Sequence, residues 1–303
     1  GQGSEASVRR DVPSGAEGVD PLSPDDMIVP VARNPPFNPC ADSGPDFDLE
    51  IMGLDGDHRR PIGEDLDEGV GSEGAVNTSK EEIWSRLSPD RRRLVFYRSP
   101  NAKTGETCRY GVQELWIANV DGTGVRSIFS NAQKLELASR LGWPSEGTVQ
   151  GHADWSPDGR HVVMLVGYAP SLGPLPLLNQ GETELFVLNV DTGALRQVTR
   201  RVDDQGRGVS VDPSWTPDGS TIIFVGCPDA TPSCDDMQIL SVPADAKEAS
   251  TTSVVFDGPG RSGNDPCVSP DGKSITWMEV GALETKLFVA AFDNPILRQR
   301  NDQ

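Results

Sequence analysis

The sequence predicts an all-β fold built from five copies of one four-stranded unit. Three observations support this prediction: a Ser/Thr-Pro-Asp-Gly turn that recurs along the chain, a second Asp-Gly turn that trails it, and β-prone runs on both sides of these turns. Proline fixes φ at the start of a turn, aspartate bonds its own backbone two residues on, and glycine accepts positive φ. Each unit is therefore predicted to be a series of antiparallel hairpins.

The first turn occupies one point of every unit. Its five copies begin at Ser23, Ser88, Ser156, Thr216 and Ser269. A β-prone run follows each copy, and the second turn follows later apolar runs at residues 49–54, 115–120, 185–190, 239–244 and 287–292. A repeated four-stranded unit is typical of β-propeller blades, because one such sheet cannot bury both of its faces alone.

The backbone of the first turn is predicted to differ in blade two. Gly159, Gly219 and Gly272 are expected at positive φ, which glycine adopts at little cost. Arg91 stands at that position in blade two, so its turn is expected to have another backbone. The turn aspartates are interpreted as turn residues rather than catalytic carboxylates, because aspartate recurs at one position in every unit.

The paired turns resemble the propeller repeat of TolB-type proteins. The resemblance covers roughly Asp20 to Arg298. It implies a β-propeller with five visible blades, and six is the alternative because TolB-type rings often have six. TolB-type proteins also carry a small α/β domain before the propeller, whereas this sequence shows only the propeller repeats. The function implied is that of a non-enzymatic, exported binding module, such as a tethered lipoprotein.

The chain is predicted to form one propeller domain, residues 19–303, after a flexible leader at residues 1–18. Residues 6–10 in that leader are expected to add a strand to the last blade and latch the ring. Residues 131–141 form the only predicted helix. Residues 61–80 are acidic and glycine-rich, which predicts a surface loop, with calcium binding as the alternative.

The charge balance restricts the partners. The chain carries 46 acidic and 27 basic side chains, a net charge of −19. Nucleic acid is excluded as a partner because phosphate binding needs a basic surface. A protein or peptide partner, basic in character, is expected, and charge that serves solubility alone is the alternative. The longest apolar runs are strand-sized, so no membrane-spanning segment is predicted, and a monomer is expected.

The cysteines predict an oxidising compartment, periplasmic or extracellular. Cys227 and Cys234 flank a proline-rich hairpin loop and are expected to form a disulfide. Cys40 and Cys108 stand in corresponding loops of neighbouring blades, which predicts a second disulfide. Cys267 is predicted to be a buried free thiol. A zinc site is the alternative, but no pair of cysteines has zinc-ligand spacing.

The candidate site consists of residues at equivalent positions, four residues before the first turn: Trp84, His152, Asp212 and Asp265, with Asp20 near the same place in blade one. They are expected in loops before the inner strands, which ring one mouth of the propeller channel. Carboxylates with an imidazole can hold a cation or a basic peptide. The alternative is that the aspartates are Asx turns and that the tryptophan packs between blades.

No catalytic motif supports an enzyme. The sequence lacks a G-x-S-x-G elbow, and it lacks phosphate-binding glycine motifs after a strand. No cofactor is expected, with a bound cation such as calcium as the alternative. The competing functional hypothesis is a glycan- or peptide-processing enzyme with a metal-assisted site at the channel mouth. The apolar loop at residues 169–178 is a second candidate contact surface.

Overall fold

The structure is a computed structural model. It describes residues 19–32, 47–63, 76, 81–99, 113–145, 148–168, 182–200, 210–226, 238–249, 252–255, 264–280 and 285–293. Several predictions fall outside these residues: the leader at 1–18, the loop at 169–178 and both disulfides, Cys40–Cys108 and Cys227–Cys234.

Five antiparallel sheets follow one another along the described chain, which confirms the all-β fold. Blade one contains β1 (Asp26–Ala32), β2 (Phe47–Gly53) and β3 (Arg60–Pro61). Blade two contains β4 (Glu81–Leu87), β5 (Arg93–Ser99), β6 (Glu114–Asn119) and β7 (Arg126–Phe129). Blade three contains β8 (Thr148–Trp155), β9 (His161–Tyr168), β10 (Glu182–Asn189) and β11 (Leu195–Gln197).

The last two blades repeat this order. Blade four contains β12 (Ser210–Trp215), β13 (Thr221–Gly226), β14 (Gln238–Pro243) and β15 (Ser253–Val254). Blade five contains β16 (Asn264–Val268), β17 (Ser274–Val280) and β18 (Thr285–Ala291). The strands β4, β8, β12 and β16 begin their sheets and contact one another in sequence, so they form the inner ring. Blades of this kind, packed around an axis, make a β-propeller.

The apolar core lies between consecutive blades. In β9, for example, Val162 and Met164 pack in a cluster with blade two, whereas Val163 and Leu165 pack in a cluster with blade four. Successive side chains of a strand point to opposite faces, so a strand covered on both sides is apolar throughout. The hydrophobic effect therefore holds each blade to its two neighbours rather than to one central core.

The far face of blade five is more exposed than the faces between blades. Phe288 and Ala290 pack towards blade four, and alternation turns Leu287 and Val289 outward with 69% and 67% of their surfaces exposed. Cys267 is free, as predicted, but exposed, so the predicted burial was wrong. The reason is again alternation, because its neighbour Val268 takes the place in the core with blade four.

The predicted helix is confirmed as α1 (Asn131–Leu141). It begins with a capping box, in which Ser130 and Gln133 each accept from the other's backbone N–H, and Gly142 ends it at φ 77°. Leu137 and Ala138 pack into the core between blades two and three. None of the helices in the described part of the chain is long and apolar enough to cross a membrane.

The acidic segment at residues 61–80 is not wholly a surface loop. Pro61 belongs to β3, and Ile62 and Val76 are almost completely buried in the core between blades one and two. Val76 is fixed there because Arg98 Nη2 donates to its carbonyl oxygen at 2.9 Å. The prediction of a surface loop was therefore wrong at Ile62 and Val76.

The first turns have one backbone in all the blades where glycine was expected to matter. Gly159, Gly219 and Gly272 have φ of 67°, 71° and 71°, as predicted. Arg91 has φ 60°, so the prediction of a different backbone in blade two was wrong. Its side chain explains the exception. The guanidinium donates to carbonyl oxygens of blade one, at 3.1 Å to Leu22 and also to Ser23, and these bonds offset the backbone strain.

Candidate functional site

Four inner strands carry a β-bulge at the same position. In β8, for instance, Gly151 pairs with Leu165 and Asp154 pairs with Val163, so two residues lie opposite one. The first bulge residue of each strand has φ between 48° and 51°, and these residues are Trp84, His152, Asp212 and Asp265. They therefore lie inside the inner strands, and the expectation that they precede the strands was wrong.

The bulges bring an imidazole and two carboxylates together. His152 Nδ1 lies 2.5 Å from Asp212 Oδ1 and 4.0 Å from Asp265 Oδ1. The backbone N–H of Asp265 donates to Asp212 Oδ2 at 3.4 Å. The Trp84 ring lies beside the imidazole, with 4.7 Å between ring centroids. Residues from blades two, three, four and five thus meet, although they are far apart in sequence.

Asp20 does not join this group. It is exposed, and the three residues whose ligand atoms lie within 4.8 Å of one another are His152, Asp212 and Asp265. In the described part of blade one, β1 begins only after the first turn, so no inner strand with a bulge holds Asp20. The structure therefore brings together four of the five candidate residues, and their role as a binding site remains a prediction.

The three titratable groups of this site alter one another's pKa values. Burial alone would lower the pKa of His152, but its hydrogen bond to Asp212 and both negative charges raise this pKa above the usual value. Burial opposes ionisation of Asp212, yet the bond to His152 brings its pKa below the usual value. Burial and then the charge of Asp212 raise the pKa of Asp265. The shifts favour a charged hydrogen bond between His152 and Asp212, and Asp265 is the less satisfied carboxylate.

A second set of residues lies two positions further along the same strands, and the sequence reasoning missed it. These residues are Arg86, Asp154, Ser214 and Cys267. Asp154 Oδ2 accepts bonds from Ser214 Oγ at 3.2 Å and from the backbone N–H of Trp215 at 2.8 Å. Burial raises the pKa of Asp154, and the nearby charge of Arg86 opposes that rise. Counting back two residues from each turn, rather than four, would have found this set.

The arrangement is suited to holding positive charge. Two carboxylates and one imidazole offer oxygen and nitrogen ligands within 4.8 Å of one another. Asp265 keeps 41% of its side-chain surface exposed, so it can reach a ligand from the solvent. The aromatic face of Trp84 can add a cation–π contact.

Comparisons with known proteins identify solved structures with a similar fold. No protein-family model matches the chain, and no curated protein matches it by sequence. Among solved structures, TolB from Acinetobacter baumannii is 15% identical, with a TM-score of 0.55 over 92% of this chain and 53% of that chain. A putative TolB from Agrobacterium tumefaciens is also 15% identical, with a TM-score of 0.52 over 88% of this chain and 77% of that one.

An oligogalacturonate lyase in complex with manganese is 16% identical, with a TM-score of 0.44 over 84% of this chain and 56% of that chain.

The five blades define this chain as a β-propeller. Its fold is TolB-like, and it spans about half the length of the TolB from Acinetobacter baumannii. One propeller fold hosts many functions, so function has to be argued from the site.

Proposed function

We propose that this chain is a non-enzymatic binding module that recognises a cationic group at the channel through His152, Asp212 and Asp265. The observation that carries the proposal is the convergence of three ligand-bearing side chains from three consecutive blades within 4.8 Å. Each stands at the first position of a bulge. Two carboxylates this close repel one another, and a bound cation relieves that repulsion.

The cationic group is a divalent metal ion or a basic side chain of a protein partner. Carboxylate oxygens suit calcium and manganese, and the imidazole adds affinity for transition metals. A lysine or arginine side chain would meet the same carboxylates and could lie against Trp84. In both cases a proton on His152 would compete with the ligand, because an imidazolium ring would neutralise Asp212.

We place this module outside the cytoplasm, in the periplasm or in an extracellular setting. The cysteine pattern supports an oxidising compartment, since four of the five cysteines are predicted to pair. The TolB-like fold is compatible with an envelope protein. Non-reducing mass mapping of protein prepared under oxidising conditions tests this placement, because free thiols at both Cys227 and Cys234 would contradict it.

A metal-assisted enzyme is the second candidate. The same three side chains form a ligand set that leaves room for substrate, because Asp265 is 41% exposed. Such an enzyme would process a glycan or a peptide, with the metal polarising the scissile group. Loss of hydrolytic or lyase activity on chelation would favour this candidate over the binding module.

The decisive experiment is a calorimetric titration of the chain with calcium, manganese and a trilysine peptide. Asp265→Asn should weaken binding of the recognised cation at least about tenfold, because it removes a charged ligand that is only partly buried. Asp271→Asn is the matched control, since it makes the same charge change at an exposed turn. If both variants bind as the wild type does, or if none of these cations binds, the proposal fails.

A further inference from the structure

A cavity of about 780 Å³ lies between blades three and four, at the end of the blades that carries the first turns. It shares no residue with the group around His152, Asp212 and Asp265. Trp215, Gly219 and Asp245 of blade four line one side, and His161 of blade three lines the other. Its volume is within the range of small-ligand sites in proteins, roughly 300–1,000 Å³.

The junction between blades two and three shows what fills the equivalent space. There Arg93 of blade two reaches across to blade three, and only 3% of its side-chain surface is exposed. Its guanidinium carbon lies 5.1 Å above the ring of Trp155, and Nη2 donates to the carbonyl oxygen of Gly159 at 2.7 Å. Nη1 lies 3.7 Å from Asp191 Oδ1. An aromatic face, a carbonyl and a carboxylate thus surround one guanidinium.

The two junctions correspond residue by residue. Trp155 and Trp215 both precede the first turn, Gly159 and Gly219 both stand in it at positive φ, and Asp191 and Asp245 both stand in the second turn. A neighbouring contact confirms this alignment of the blades. Arg126 Nη2 donates to Val190 O at 2.7 Å in one junction, and Arg196 Nη2 donates to Ala244 O at 2.8 Å in the other.

One difference produces the cavity. His161 replaces Arg93 at the start of the second strand, and it is too short to cross to the next blade. Its ring stays with its own blade, with Nε2 at 3.3 Å from Asn189 Nδ2 and Nδ1 at 3.7 Å from Asp158 Oδ1. The three groups that hold a guanidinium in the first junction therefore have counterparts around a cavity in the second.

We propose that this cavity binds the guanidinium of an arginine side chain supplied by a peptide or protein partner. The ligand would lie over the Trp215 ring and donate to the Gly219 carbonyl and the Asp245 carboxylate, as Arg93 does with their counterparts. Arg196 is a positive side chain of the cavity wall, and its charge interacts with that of Asp245, which the ligand would share. Its counterpart Arg126 also lies near Arg93, so two guanidinium groups are compatible with this geometry.

Lysine fits this site less well than arginine. The cavity presents a flat ring together with a carbonyl and a carboxylate on separate segments, and a planar guanidinium can contact all three at once. An ammonium group is a compact point charge and would satisfy them one at a time. The inference therefore adds a second, arginine-selective site to the proposed cation site at the channel, and it does not depend on that site.

The test uses N-acetyl-arginine amide as the probe, with the amides of N-acetyl-citrulline and N-acetyl-lysine for comparison, titrated against the full chain by calorimetry. We expect saturable binding of the arginine probe and at least about tenfold weaker binding of the citrulline probe, which lacks the charge. Equal binding of the arginine and citrulline probes, or no binding of the arginine probe, would overturn the proposal.

Two variants localise the binding. His161→Arg should fill the cavity as Arg93 does, raise the melting temperature and remove the arginine-selective binding, so that the arginine and lysine probes bind alike. Ser274→Arg is the matched control, because Ser274 is the equivalent residue of blade five and lies away from the cavity. If His161→Arg does not fold, Asp245→Asn gives the same information, because it should weaken binding of the arginine probe. Unchanged binding in the variant that folds would refute the site.

A third variant separates this site from the channel. The double substitution Asp212→Asn with Asp265→Asn should keep the arginine-selective binding, with the arginine probe still bound more tightly than the lysine probe, if the cavity is its site. Loss of all binding of the arginine probe in that double variant would instead assign the binding to the channel and overturn this inference. Conversely, loss of calcium or manganese binding alone in the double variant supports the channel proposal and leaves the cavity proposal intact.

Discussion

In blades two to five, the first turn and the inner-strand bulge each place one residue at positive φ, but they use different residues to do so. The turns of blades three, four and five use Gly159, Gly219 and Gly272, at φ from 67° to 71°. The four bulges use tryptophan, histidine and two aspartates, at φ from 48° to 51°. Glycine would adopt the bulge conformation at the lowest cost, yet none of these four bulges has it there.

The difference indicates what each position contributes. A turn needs only the backbone conformation, so glycine suffices. A bulge residue in an inner strand directs a side chain towards the other inner strands, and glycine would provide no side chain. Aspartate and histidine tolerate positive φ better than most residues, whereas tryptophan does not. Strain retained at four equivalent positions whose side chains meet is characteristic of a functional site.

Arg91 lies in a turn but, like the bulge residues, is not glycine. Its substitution should have the largest effect on stability. Arg91→Ala keeps the strained φ of 60° and removes the bonds to blade one, so we expect a loss of about 2–3 kcal/mol. Arg91→Gly should cost about 1 kcal/mol less, because it relieves the strain. Urea denaturation measures both. Equal stability of the two variants would show that the strain at this turn is negligible.

The turn glycines come next. Gly219→Val should destabilise the protein by about 1–2 kcal/mol, since a β-branched residue at φ 71° is strained. Gly219→Asn is the control and should cost clearly less, because asparagine visits this region more readily. The free energies of unfolding of the two variants distinguish these outcomes. A valine variant as stable as the asparagine variant would mean that the turn adapts its backbone.

At the bulge the sign should reverse. Asp265→Gly relieves strain and removes carboxylate repulsion, so we expect stability to stay equal or rise by up to about 1 kcal/mol. Cation binding at the channel should be lost in the same variant. Thermal unfolding and calorimetry measure the two effects. A variant that is destabilised by more than about 1 kcal/mol would identify Asp265 as a structural cap of the bulge.

The smallest effect concerns pH. The pKa of His152 is raised in the folded protein, so the stability that its pair with Asp212 contributes is complete below the unfolded pKa of about 6.5. It is lost as the pH rises through the higher folded pKa. The wild type should therefore lose stability relative to His152→Asn as the pH increases from 6 to 8. A constant difference between the two proteins across this range would contradict the ion pair.

Local signals in the sequence were sufficient for the blades. The repeated turns and the apolar runs between them predicted the five units, and Ser130 with Gly142 marks the ends of the helix that the sequence placed at 131–141. The errors have long-range causes. Arg91 keeps its turn because it binds carbonyls 65 to 69 residues earlier in the chain. Val76 packs in the core between blades one and two, and Arg98, 22 residues later, binds its carbonyl.

The candidate site was predictable only in part. Counting back from the turns found the positions of Trp84, His152, Asp212 and Asp265, because repetition makes equivalent positions meet in a ring. The count could not show that a bulge places them inside the strands, since a bulge depends on pairing with the next strand. The cavity at His161 was not predictable, because its shape follows from two blades packed together.

Arginines also affect how the ring assembles. Arg91 and Arg93 of blade two bind carbonyls of blades one and three, over separations of 69 and 66 residues, and Arg196 binds a carbonyl of blade four over 50. Each of these contacts closes a chain segment of about one blade. The entropic cost of closure grows only slowly with such lengths, so blades can dock successively on their neighbours as the chain emerges. Folding speed should then be set by pairing of adjacent blades rather than by joining the two ends of the chain.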